Sequence, residues 1–185
     1  MDTVGLFKRA AGDFRMRLQK VTDWTVPTPC TEWDARALVN HVINEVMWVP
    51  LLVEGKTIEQ VGSSLDGDLL GDDALAAWDA AVASAIAEIS KPDAMQRVVH
   101  LSMGETPADE YVNQVASDLA IHMWDVARAV GADERIDPEL VALAAATFGP
   151  MFDGARKAGV FADEVLVPDD ADPQTKLLAM SGRSA

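Results

Sequence analysis

Asp118 and His122 stand four residues apart in ASDLAIHMWDVARAVGA, residues 116–132. On a helix that step places both on one face, one turn from each other, so a carboxylate and an imidazole can share one ion. The plain alternative is a hydrogen bond from His122 to Asp118 with nothing else bound, which predicts no metal in the protein and no response to EDTA. His41 offers a second imidazole from another apolar segment. Two imidazoles and a carboxylate suit catalytic zinc and non-haem iron sites, because three protein ligands leave positions open for water or substrate. The trio His41, Asp118 and His122 therefore forms a candidate metal site built for chemistry.

Such residues must be brought together by helices, and the sequence supplies them. Residues 3–21 carry Val4, Phe7, Ala11, Phe14, Leu18 and Val21 at helical steps. DWTVPTPCTEW then forces a turn, and Thr31 with Asp34 reads as the capping box of a second helix that starts at about Glu32. This helix presents Trp33, Ala37, Leu38, His41, Val42 and Glu45 on one stripe and runs toward Gly55, with Pro50 as a kink or early end. Residues 55–73 are polar, glycine-rich and aperiodic, which predicts a long crossover. A third helix spans 74–89, and RVVHLSM at 97–103 has the composition of a short extended segment. Thr106 and Pro107 read as N-cap and first turn of the fourth helix, which ends at Gly131. A further helix over 140–152, an extended piece from Phe161, a Pro- and Asp-rich turn, and a half-helix with Leu177, Leu178 and Met180 complete the chain. The expected fold is an all-α four-helix bundle with a long crossover, a short extended segment and an additional C-terminal helix. One domain is expected over residues 1–185, with the core bundle at about 1–131 and an elaboration at 132–185.

Composition narrows the partners. The net charge of −15 repels phosphate backbones and anionic lipid, so neither nucleic acid nor membrane is expected. The apolar run at 46–53 is far shorter than the ~20 residues of a membrane span, and the charged N-terminal segment does not read as a secretion signal. Cys30 is the sole cysteine, which excludes an internal disulfide and suits a reducing, cytoplasmic setting. The alanine-rich, isoleucine-poor composition hints at a GC-rich genome.

TPCTEWDARALVNHV at 28–42, VHLSMGETPADEY before the fourth helix, DLAIHMWDVARAVG at 118–131 and the terminal LLAMSGR together resemble the DinB/YfiT-like metal-binding superfamily. More narrowly they resemble its actinobacterial branch related to mycothiol-dependent maleylpyruvate isomerase, and the likeness spans nearly the whole chain. It implies a four-helix bundle in which His41, Asp118 and His122 hold a divalent metal, with zinc first and nickel or iron as alternatives. It also implies mycothiol as cosubstrate and allows a homodimer. One departure is specific: the isomerase relatives carry glutamate where this chain has Asp118, one methylene shorter. Two histidines with waters, or recruitment of Glu45 one turn after His41, are the alternatives this leaves open. The sequence also leaves no stretch for the extra C-terminal domain of the isomerases.

The functional expectation is a thiol-dependent transferase or isomerase in which the metal lowers the thiol's pKa beside a small electrophile. A metal-dependent hydrolase and a non-enzymatic metal-binding module are the rivals. Outside the trio, His100 reads as a surface histidine, Asp125 and Arg128 as a helix-face ion pair, and Cys30 as structural or incidental. Trp33, Trp48, Trp78 and Trp124 read as core or pocket wall.

Overall fold

The computed structural model describes residues 2–102, 104–157, 159 and 162–185. Among them run α1 (Thr3–Leu18), α2 (Ala35–Glu54), α3 (Ile58–Val61), α4 (Ala74–Ile89), β1 (Val98–Leu101), β2 (Gly104–Pro107), α5 (Ala108–Val130), α6 (Pro138–Phe148), α7 (Phe152–Lys157) and α8 (Pro173–Met180). The protein is an all-α bundle with additions. The longest helix, α5, packs against α1, α2 and α6, while α4 closes the bundle against α1 and α2. Phe14 of α1 and Trp78 of α4 meet across the core with ring centroids 4.6 Å apart, and both are fully buried. No helix among the described residues is long and apolar enough to cross a membrane.

The helices begin where side chains can accept from free backbone N–H groups. Asp2, Asp34, Asp73, Asp137 and Asp172 cap α1, α2, α4, α6 and α8, with Pro138 and Pro173 in the first turns of the last two. Gly131 ends α5 at φ +68°, a left-handed conformation that glycine adopts without strain.

Several local expectations are corrected. The second helix starts at Ala35, not Glu32, because Asp34 is its cap: Asp34 Oδ1 accepts from Ala37 N–H at 2.8 Å. Thr28 Oγ1 donates to the Trp33 carbonyl at 2.8 Å, which keeps the preceding stretch a turn and frees Trp33 from the helix. Pro50 does not end α2, which continues to Glu54. Val46, Val49 and Val53 are fully buried around it, and this burial offsets the roughly 3 kcal/mol that an interior proline costs. The crossover contains α3, held by a Thr57–Gln60 capping box.

The extended segment is half of a hairpin. β1 pairs antiparallel with β2, Val99 opposite Thr106, so Thr106 and Pro107 end a strand and α5 opens at Ala108. The predicted end of that segment, Met103, lies outside the described residues, as does Phe161 at the start of the C-terminal extended piece. The predicted 140–152 helix is two: α6 stops at Phe148, Gly149 and Pro150 turn the chain, and α7 restarts at Phe152.

Candidate metal centre

The two segments carrying the trio meet because α2 and α5 are neighbours. His41 projects from the middle of α2, Asp118 and His122 from the middle of α5. Among the described residues these three each offer one donor atom, all within 4.8 Å of one another. His41 Nε2 stands 3.6 Å from Asp118 Oδ2, and His122 Nε2 stands 3.5 Å from Asp118 Oδ1. Both separations exceed ordinary hydrogen-bond length, so the plain Asp118–His122 hydrogen bond is not formed. The imidazoles approach edge to face, centroids 5.2 Å apart at 78°.

Asp118 carries the strongest sign of an ion. Its Oδ2 is buried and has no hydrogen-bond partner among the described residues. A buried oxygen left so costs about 1–3 kcal/mol, and more when it is charged. Burial acts to raise the Asp118 pKa, but the charges of His122, His41 and Arg183 outweigh it and hold the carboxyl below its usual range. An ionised carboxylate between two imidazole nitrogens is the donor arrangement a divalent cation needs, so the residues fit such a group.

The partners of the trio are fixed in turn. His122 Nδ1 lies 2.9 Å from Asp125 Oδ2, and Asp125 is fully buried. Burial opposes ionisation of Asp125, yet hydrogen bonds from His122 and Arg183 keep it below the ordinary aspartate range. A carboxylate can only accept, so Nδ1 of His122 carries a hydrogen, and in the neutral imidazole Nε2 keeps its lone pair for the site. Arg183, from the segment after α8, donates to Asp125 through Nε at 2.8 Å and Nη2 at 2.7 Å, and through Nη1 to the Ser181 carbonyl at 2.8 Å. Asp125 is therefore not the partner of Arg128. Arg128 instead pairs with Glu134 at 3.0 Å and lies over the Trp124 ring.

A cavity of about 600 Å³ opens on the trio. Trp33 covers one flank, its ring centroid 4.6 Å from that of His41 and 5.9 Å from that of His122. Trp78 and Trp124 are core, and Trp48 is half-buried with Nε1 donating to Asn44 Oδ1. Glu45 lines the cavity but stands outside the close trio. Burial and the charge of Asp118 push its carboxyl above the usual range. For His41, burial acts downward but Asp118 and Glu45 outweigh it, so its pKa is raised. Cys30 is half-buried on the cavity wall, and burial pushes its thiol up, away from thiolate. His100 is exposed on β1 beside Glu105 and takes no part.

A helical bundle with an open His–Asp–His trio and a cavity above it defines a class of candidate metal-binding domain. The chain matches the mycothiol maleylpyruvate isomerase N-terminal domain over residues 7–127 and belongs to that family. It is also similar to two uncharacterized proteins of Mycobacterium tuberculosis, one from strain CDC 1551 / Oshkosh and one from strain ATCC 25618 / H37Rv. Each is 33% identical over 194 residues, covering 100% of this chain and 99% of the relative. No solved structure gives a significant match. Arg183, which Asp125 requires, lies outside the matched span.

Proposed function

We propose that His41, Asp118 and His122 bind one divalent cation, zinc first with nickel or iron as alternatives. On this reading the protein is a thiol-dependent transferase or isomerase acting on a small electrophile, with a mycothiol-type thiol as cosubstrate. The observation that carries it is the Asp118 carboxylate set between two imidazoles on the cavity wall, its buried Oδ2 unpartnered among the described residues. Family membership supports the thiol, since mycothiol is in the family's own description. Held there, a divalent cation lowers the pKa of a thiol and keeps the thiolate beside an electrophile near neutral pH.

The chain's own residues do the positioning. Asp125 fixes the His122 tautomer, and Trp33 packs against both imidazoles and limits their rotation. Three protein donors leave room for a guest, and the cavity is large enough for a small molecule. Cys30, held as a thiol by burial, leaves the nucleophile to be supplied from outside. A soluble thiol of this kind belongs to the reducing cytoplasm, where a chain with one free cysteine is at home.

Calorimetry tests the reading. Zinc-loaded protein titrated with mycothiol or an analogous thiol is expected to give saturable heat near one equivalent. Absence of that heat removes the thiol from the proposal. Chelator-sensitive ester or amide hydrolysis without any thiol would transfer the site to the hydrolases instead.

A further inference from the structure

The cavity above the trio is charged in one direction. Among the described residues, its charged side chains besides the two histidines are Glu32, Glu45, Asp118 and Arg183. Arg183 is the one permanent cation, and it is already committed. All three of its guanidinium nitrogens donate within the protein, two to the fully buried Asp125 and one to the Ser181 carbonyl, and the side chain is 7% exposed. Asp125 offsets its charge, so among the described residues an anion entering the cavity meets no unpaired guanidinium or ammonium.

A divalent cation would not reverse this balance. Its two positive charges are offset by Asp118 and by an incoming thiolate, which leaves the sign to the exposed Glu32 and to whatever charge Glu45 keeps against its raised pKa. The chain as a whole carries −15, so the field outside the cavity acts in the same direction. Burial and the charge of Asp118 already oppose the ionisation of Glu45 across the cavity. A substrate carboxylate would join that repulsion.

We propose that this cavity selects a neutral or cationic electrophile and turns carboxylates away. The proposal rests on the reading of the site as a thiol-dependent centre. Maleylpyruvate, a dicarboxylate, is then the wrong class of substrate for this chain, although it names the family. A small uncharged electrophile with an apolar edge fits the remaining wall, where Trp33, Val115 and Phe148 lie.

Cys30 supplies the reporter, because it is the sole cysteine and sits on the same wall. The full chain is treated with a neutral, a cationic and an anionic methanethiosulfonate, with one equivalent of zinc and without it. Each rate is divided by that of the same reagent with N-acetylcysteine amide, which removes intrinsic reactivity. Comparing the two similarly sized charged reagents also cancels the raised pKa of Cys30. The cation is expected to react at least tenfold faster than the anion on this scale, and Glu45→Gln with Glu32→Gln to narrow the ratio toward one. Equal relative rates, a faster anion, or no modification of Cys30 by any reagent overturns the proposal. The series on the unaltered chain stands whether or not the double variant folds. Thiol binding is measured apart by calorimetry: an anion preference with intact thiol binding sinks this inference alone. Lost thiol binding with the cation preference intact sinks the thiol reading and leaves the charge selection standing.

Discussion

Asp125 Oδ2 stands 2.9 Å from His122 Nδ1, and both oxygens of the same carboxylate accept from Arg183. A relay therefore runs from the C-terminal segment to the candidate metal trio: Arg183 fixes Asp125, Asp125 fixes His122, and His122 turns Nε2 toward Asp118 and His41. Each link is buried, so water does not compete for it. The direction of the His122 lone pair is thereby set by a residue far away in sequence.

The first consequence concerns the ion itself. Protein purified without a tag and without chelator is expected to carry about one equivalent of zinc, nickel or iron, and His122→Ala and Asp118→Asn to lose it. His100→Ala, on the exposed hairpin, should keep it. Elemental analysis of the four proteins decides. Equal metal content in parent and His122→Ala would leave the trio as a polar cluster and no more.

Asp125→Asn separates positioning from folding. The substitution leaves Arg183 buried beside a neutral amide, at a cost of about 3–5 kcal/mol in stability. It also replaces a carboxylate, which can only accept from Nδ1, with an amide that can donate to it as well, so the His122 tautomer is no longer selected and zinc affinity should fall by about 10–100-fold. Adding Arg183→Gln removes the stranded charge, so the double variant should recover stability but not affinity. Denaturant unfolding and competitive zinc titration read the two effects, with imidazole ¹⁵N shifts reporting the tautomer. Recovery of affinity together with stability would mean that Asp125 only supports the fold.

How much of this was readable from residues alone follows from the range of each interaction. Asp118 and His122 were legible because a four-residue step on a strongly periodic helix fixes their common face, and α4 because periodic apolar residues lie between Asp73 and Pro92. Pro50 misleads because the local rule against interior proline is overruled by burial of the valines around it. GETP looks like a helix start because threonine before proline carries that signal whether or not a strand pairs with it. Asp125 was visible but given the wrong partner: Arg128 is near in sequence, whereas Arg183 reaches it only through the tertiary fold. The three-residue step from His122 to Asp125 was the available signal, since i and i+3 share a helix face.

His41 gives the site a pH dependence whose sign is fixed. Burial acts to lower its pKa, but Asp118 and Glu45 prevail and raise it. A raised folded-state value means that, without metal, the His41–Asp118 pairing stabilises fully below the unfolded histidine value and is lost as pH rises through the folded one. Metal binding runs the other way, because the imidazole must give up its proton to bind. Zinc affinity is expected to rise about tenfold per pH unit while His41 is protonated and to level off above that. Calorimetry in buffers of different ionisation enthalpy should count about one proton released per zinc below the plateau. An affinity flat from about pH 6 to 7.5, where histidines ordinarily titrate, would contradict the protonated His41–Asp118 pair.

Gly182 is the hinge on which Arg183 turns inward. Its φ is +82°, and a Cβ added there would lie 2.6 Å from Ala162 Cβ and 3.1 Å from the Ala162 carbonyl carbon. Gly182→Ala therefore meets both backbone strain and a clash with Ala162, and the expected cost is about 1–3 kcal/mol. The turn can relieve that strain only by opening, which withdraws Arg183 from Asp125. Zinc affinity should then fall alongside stability, as expected for Asp125→Asn. Gly12→Ala is the matched control: Gly12 lies inside α1, has nothing within 4 Å of an added Cβ, and should gain roughly 0.5–1 kcal/mol with unchanged zinc binding. Thermal melts and zinc titrations on the two alanine variants make the comparison. If Gly182→Ala binds zinc as tightly as Gly12→Ala, the inward turn of Arg183 is not what holds His122 in place.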